Sequence, residues 1–232
     1  AERIRVRHLL LVIALFGTGL GTTRAADSPG QMVTGKRSIE QLHHLPKDLK
    51  PGRYTLNCGV LIGTSGWVLF ARCYPRTGSA PRDLLKAAIY AAQSSLFVPA
   101  THNGRKVEVF TTLSVKIDTT LSEPLILAVP NDGEDAAKYG PLYTAPQRYG
   151  GSHISRPYIP LHDPLRTAVV WMRLQIDEDG QMTACTVINN ADAPEWWVDA
   201  VNDAAKQMTF IPGYHEGKPV PMLFVQPMLW RY

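Results

Sequence analysis

A chain of 232 residues, 45% hydrophobic, is long enough to bury one large core or two small ones. Its 24 basic and 20 acidic residues include four Arg and one Glu in positions 1–25, so 20 basic and 19 acidic residues remain beyond them (24 − 4 and 20 − 1). That near balance removes the basic footprint a nucleic-acid partner needs. Cys58, Cys73 and Cys185 lack the CxxC or paired Cys/His spacing of a metal site and fit an exported protein with one disulfide and one spare thiol.

Arg3, Arg5 and Arg7 precede the apolar run "LLLVIALFGTGLG", and "TRA" ends at Ala25. This is the layout of a secretory signal over 1–25, and the run falls short of the roughly 20 apolar residues that span a bilayer. The reading is a cleaved signal, with an uncleaved inner-membrane anchor as the alternative. Residues 26–52 then form a lead-in.

From 53 to 117 the chain reads as strand, turn, strand, helix, corner and strand. Leu56, Cys58, Val60 and Ile62 face inward, "GTSG" turns, and "WVLFARCY" returns. A helix from about Pro81 to Leu96 presents Leu84, Leu85, Ala88, Ile89 and Ala92 as its apolar stripe. "FVPATHNGRKV" makes a corner, and the last strand alternates Val107, Val109, Thr111, Leu113, Val115 and Ile117 against Lys106, Glu108, Thr112, Ser114 and Lys116. Residues 118–165 hold seven Pro and four Gly and read as a partly packed linker, with "LILAV" a possible extra strand.

Residues 166–232 repeat the order. "AVVWMRLQI" alternates Val170, Met172, Leu174 and Ile176, "DEDG" turns, and "QMTACTVIN" returns. Asp192 with Glu195 forms a capping box ahead of a helix whose stripe is Trp197, Val201, Ala204, Ala205 and Met208. "FIPGYHEGKPV" then leads into "VPMLFVQPMLW". Both corners fit F-x-P-x4-G-x2-V and lie 113 residues apart (210 − 97). The expected fold class is α+β: two tandem ββαβ units, each a three-stranded antiparallel sheet with one helix packed on one face.

A strand, a "DG" turn, a strand, a helix and this corner before a last strand resemble the TonB C-terminal domain family. The chain resembles two such domains in tandem, at about 54–117 and 167–231, with "IDEDGQM" and "FIPGYHEGKPV" the closer match. It departs from the family in having no long Pro-rich spacer before the first copy. The resemblance implies a periplasmic, non-enzymatic protein that binds an extended segment of an envelope protein or outer-membrane transporter by adding a strand to a sheet edge. A membrane-anchored energy transducer and a structural envelope protein dimerising through its edges are the alternatives. It also places Cys58 and Cys73 on the helix-facing side, nearly opposite across their hairpin, as a cross-strand disulfide.

The family's docking edge is the last strand. Pro219, Pro221 and Pro227 share one parity there and lack donors, leaving Leu223 and Val225 between them, so the second copy's edge reads as blunted. The first copy has no proline from Lys106 to Ile117 and reads as the better docking edge, through Lys106, Glu108, Phe110, Thr112 and Ser114, unless "LILAV" or a second subunit covers it. Leu223, Val225 and Leu229 are apolar on the face away from the helix, which implies a cover for that face. Residues 53–117 carry eight basic and two acidic residues and 166–232 carry five and eight, a contrast that favours the copies docking on one another.

No enzyme signature emerges. "GTSGW" places Trp67 where a nucleophile elbow needs Gly, the histidines make no ligand pair, and Asp177, Glu178 and Asp179 read as a solvated turn. No cofactor, metal or small-molecule substrate is expected.

Overall fold

The computed structural model describes residues 27–76, 79–130, 134–140, 143–150, 167–189 and 193–231. The signal-like segment lies outside them. In chain order the elements are β1 (Gln31–Met32), α1 (Ile39–Leu42), β2 (Arg53–Ile62), β3 (Val68–Pro75), α2 (Arg82–Ser94), β4 (Phe97–Val98), β5 (Ala100–His102), β6 (Arg105–Val107), β7 (Val109–Asp118) and β8 (Leu125–Pro130). They continue as α3 (Glu134–Tyr139), β9 (Tyr143–Thr144), β10 (Gln147–Gly150), β11 (Thr167–Ile176), β12 (Met182–Asn189), α4 (Glu195–Ala205), β13 (Thr209–Ile211), β14 (Gly213–His215), β15 (Lys218–Val220) and β16 (Met222–Arg231). The protein is thus a mixed α and β fold built from several small antiparallel sheets and these helices. Among the described residues, no helix is long and apolar enough to cross a membrane.

Alternation drives the two principal sheets. In the first, β2 lies between β3 and β7, and Leu56, Cys58, Val60 and Ile62 pack with Val109, Leu113, Val115 and Ile117 under Leu84, Ala88, Ala91 and Ala92 of α2. In the second, β11 lies between β12 and β16, and Val170, Met172, Leu174 and Ile176 pack with Phe224 and Met228 under Trp197, Val201 and Ala205 of α4. Period-2 strands against a period-3.6 helix leave one apolar layer, which is all a sheet this size can enclose.

Element bounds repeat at spacings of 113 or 114 residues. β2 and β3 recur as β11 and β12 after 114 residues (167 − 53 and 182 − 68), and α2 and β7 recur as α4 and β16 after 113 (195 − 82 and 222 − 109). One irregularity coincides, a β-bulge between Leu61 and Ile62 and again between Gln175 and Ile176, while a second bulge between Trp171 and Met172 has no counterpart between β2 and β3. Gly66 and Gly180 explain the F-x-P corners. Both have left-handed φ, +87 and +77, and an added Cβ would collide with the carbonyl oxygen of Phe97 or Phe210 while touching Pro99 or Pro212. The hairpin turn is therefore seated directly on the corner, and the Phe97 N–H donates to the Gly66 carbonyl at 2.9 Å.

Cys58 and Cys73 stand directly opposite on β2 and β3, 4.0 Å apart at Cα, and form the disulfide. Cys185 is a free, half-buried thiol on β12; burial raises its pKa against the opposing influence of Lys206.

Three sequence expectations need correction. The first last strand does not run from Lys106: Lys106 pairs with Thr101 in the corner hairpin β5–β6, Glu108 breaks the chain, and the long strand starts at Val109. The second helix has Pro194 as N-cap with no side-chain cap, so Glu195 is its first residue rather than its third; Asp192 lies outside the described residues. The first sheet is six-stranded rather than three-stranded, because β8 and β10 of the partly packed segment 118–165 join β7 and β13 joins β10, with β8 falling on the expected "LILAV" strand.

Candidate functional site

Which strand edges are open decides what this fold can bind by backbone pairing. In an antiparallel sheet alternate residues direct both backbone groups to one side. The close Cα spacing of Cys58 and Cys73 marks a pair that exchanges no hydrogen bonds, so Cys58 bonds toward Leu113 on β7. Phe110, Thr112, Ser114, Lys116 and Asp118 consequently aim their backbone groups outward. That outward edge is taken within the chain. β8 pairs antiparallel with Leu113–Asp118, residue for residue from Leu113 with Pro130 to Asp118 with Leu125, and β10 pairs through Arg148 at Phe110.

Side chains on the same strand serve structure. The Phe110 ring lies over Gly59, with a ring carbon 2.7 Å from where a Cβ would stand. It meets Phe224 edge-on at 6.5 Å between centroids, and the Arg148 guanidinium sits 5.2 Å above it. Burial lowers the Arg148 pKa. Ser114 is buried and donates to Asn57 Oδ1 at 3.1 Å. Thr112 falls between the stretches covered by β10 and β8.

The second edge is more open than its prolines imply. Pro219 belongs to β15, opposite Tyr214 in the corner, and Pro221 lies in the break before β16, where its carbonyl accepts from Tyr139 Oη at 2.9 Å. Only Pro227 removes a donor from β16. The Leu223 N–H donates to Asp135 Oδ2 at 2.9 Å, which shows that odd residues of β16 point away from β11. Asp135 is itself buried. Among the described residues no strand pairs with the outward side of β16, so Val225, Pro227, Leu229 and Arg231 present that edge. By the 113-residue offset, 226–231 of β16 is the counterpart of the β7 stretch that holds β8 (113 + 113 and 118 + 113). Leu223 and Val225 are half-buried, as is Trp171 on the neighbouring strand.

Each corner also accepts a strand from the segment upstream of its own half. β1 pairs with β4, joining Gln31 to Val98 and Met32 to Phe97, and β10 pairs with β13, joining Gln147 to Ile211 and Arg148 to Phe210. Ser28 bonds Thr101 as Thr144 pairs with Tyr214. The two upstream segments are tied together by the buried Gln147 carboxamide, whose Oε1 accepts from Gly30 N–H at 2.7 Å while Nε2 donates to the Gly30 carbonyl at 2.6 Å. His102 of the first corner bonds Asp27 at 2.8 Å and stacks on Tyr149 at 4.4 Å, and Tyr214 of the second donates to the Asp27 carbonyl at 2.8 Å. Burial, reinforced by Asp27, raises the Tyr214 pKa. Beside these strands lies an open groove of about 650 Å³, walled chiefly by apolar groups including Met32, Phe97, Leu113, Leu127 and Tyr143.

Ser65 sits in the hairpin turn, and Asp177 Oδ1 accepts from the N–H groups of Asp179 and Gln181, closing its own turn. Among the described residues, no three His, Cys, Asp or Glu side chains converge as a metal site. Sequence reasoning missed Asp135, Gln147 and Asp27; β10 starts 116 residues after β1 (147 − 31), so the 113-residue offset of the corners does not locate it. Comparison of the chain with protein-family models, curated proteins and solved structures finds no match in any of the three.

Proposed function

We propose that this chain is a duplicated ββαβ unit of the TonB C-terminal type, exported to the periplasm, which holds an extended polypeptide segment of an envelope protein or outer-membrane transporter on the outer edge of β16. The observation that carries the reading is β8 on β7. There the last strand of the first half already binds a six-residue antiparallel segment, and the equivalent stretch of the second half carries no strand among the described residues. Val225, Leu229 and Arg231 each offer a donor and an acceptor, while Pro227 offers an acceptor alone, which fits addition of one strand with a single missing bond. The repeated spacing, the shared bulge and the paired F-x-P corners support the duplication. Binding by main-chain pairing needs no catalytic group.

Envelope extract passed over the parent and over a Val225→Pro, Leu229→Pro variant, first shown to be folded by circular dichroism, tests the edge. A transporter or other envelope protein held by the parent and lost by the variant is the expected outcome. Equal retention removes the β16 edge from the reading.

A further inference from the structure

We infer that the exposed edge of β12 in one molecule pairs with the edge of β3 in a second copy of the same chain, joining copies head to tail through a continuous antiparallel sheet. The inference uses neither the β16 edge nor any envelope partner, so it stands or falls apart from the function proposed above.

β12 is the starting point. "MTACTVIN", Met182–Asn189, contains no charged residue and no proline, and β11 is its one strand partner among the described residues. Exposed strand edges are ordinarily protected by charge, proline or a cover, because an uncharged edge is a template for another strand. Leu223 aims its N–H away from β11, so Gln175 opposite it bonds toward Ala184, and Cys185 and Val187 send their backbone groups to the free side, while Thr183 is the extra residue of the bulge. Ile188 is 51% exposed beside them.

β3 is the corresponding strand of the first half, and β2 is its one strand partner among the described residues. Ala71 and Cys73 send their backbone groups outward by the same parity, and Leu69, the extra residue of the bulge, and Phe70 are exposed. Its own kind is a poor partner, since Arg72 and Arg76 would meet Arg72 and Arg76. Antiparallel pairing with β12 instead brings the Arg76 end of β3 against the Met182 end of β12, next to the turn that carries Glu178 and Asp179, both exposed. Matching outward residues to outward residues, with Ala71 opposite Val187, sets Phe70 opposite Ile188 and Arg72 opposite Thr186. Charge and apolar side chains therefore agree on one direction and one register. The wider surface agrees too, because the first half has the basic excess and the second the acidic one. Two different edges make a heterologous contact, which propagates rather than closing on a pair.

Sedimentation of the mature chain over a wide concentration range tests this, alongside two charge-reversed variants, Arg72→Glu with Arg76→Glu and Glu178→Lys with Asp179→Lys. The parent is expected to rise above the mass of one chain as concentration increases. Each variant alone is expected to stay at one chain, and an equimolar mixture of the two to recover association, because the reversed charges are complementary again. Val187→Pro, which removes an outward donor but none of the β11 bonds, is expected to stay at one chain in the mixture as well. A parent that remains a single chain throughout overturns the inference, as does association that both reversals leave unchanged.

Discussion

Gly180 and Gly217 have nearly the same left-handed backbone, φ +77 and +75, yet differ in what an added methyl meets. Around Gly217 nothing lies within 4 Å, whereas at Gly180 the new Cβ collides with the Phe210 carbonyl oxygen and reaches Pro212 Cδ at 3.4 Å. Both alanine substitutions carry the left-handed cost of about 1–2 kcal/mol, partly offset by roughly 0.4–1 kcal/mol from a stiffer unfolded chain. Only Gly180→Ala must also push a packed corner off its hairpin, an overpacking cost of about 1–3 kcal/mol. We therefore expect Gly217→Ala to lose roughly 1 kcal/mol and Gly180→Ala roughly 2–4 kcal/mol. Urea unfolding followed by tryptophan fluorescence, which reports the buried Trp197, measures both. Midpoints displaced equally, with unchanged slopes, would refute the claim that the hairpin glycine exists to seat the F-x-P corner.

Removing the disulfide by Cys58→Ala with Cys73→Ala frees a loop with a sequence separation of 15 residues, and the chain-entropy account assigns such a loop about 3 kcal/mol. Calorimetry should show a lower Tm than the oxidised parent, and an unchanged Tm would remove the bridge from the stability argument. His43 is buried, neither ring nitrogen has a hydrogen-bond partner among the described residues, and burial, followed by the neighbouring His44, lowers its pKa. The unfolded chain then binds a proton that the folded chain resists, so His43 stabilises the fold above about pH 6.5 and that contribution is lost as pH falls toward the depressed folded value. Urea midpoints measured above and below that pH should fall less on acidification in His43→Leu than in the parent; an equal fall in both counts against the assignment.

Much of the architecture was legible because each half is locally consistent. Leu56, Cys58, Val60 and Ile62 alternate, as do Val170, Met172, Leu174 and Ile176, and all eight are buried or half-buried against the helix whose stripe the sequence predicted. The errors fell where a neighbour, not a period, decides. Lys106 and Val109 continue one alternation, yet the corner hairpin claims the first and the sheet claims the second. Pro219, Pro221 and Pro227 share a parity in sequence, but the break at Pro221 puts Pro219 on a different ladder, so parity across it carries no meaning.

Sequence alone determined the period of each long strand, the helix stripes, the repeated corner and the candidate partner for Cys58, since all of these depend on contacts within about one element of their neighbours. The tertiary structure alone decided which edges stay open. Whether β8 lies on β7, whether Asp135 takes the Leu223 N–H, and whether Gln147 reaches Gly30 across 117 residues depend on segments far apart in the chain. Backbone donors and acceptors are the same at every residue, so no side-chain pattern records which strand will use them; only the packed chain places one edge beside another and leaves the next exposed.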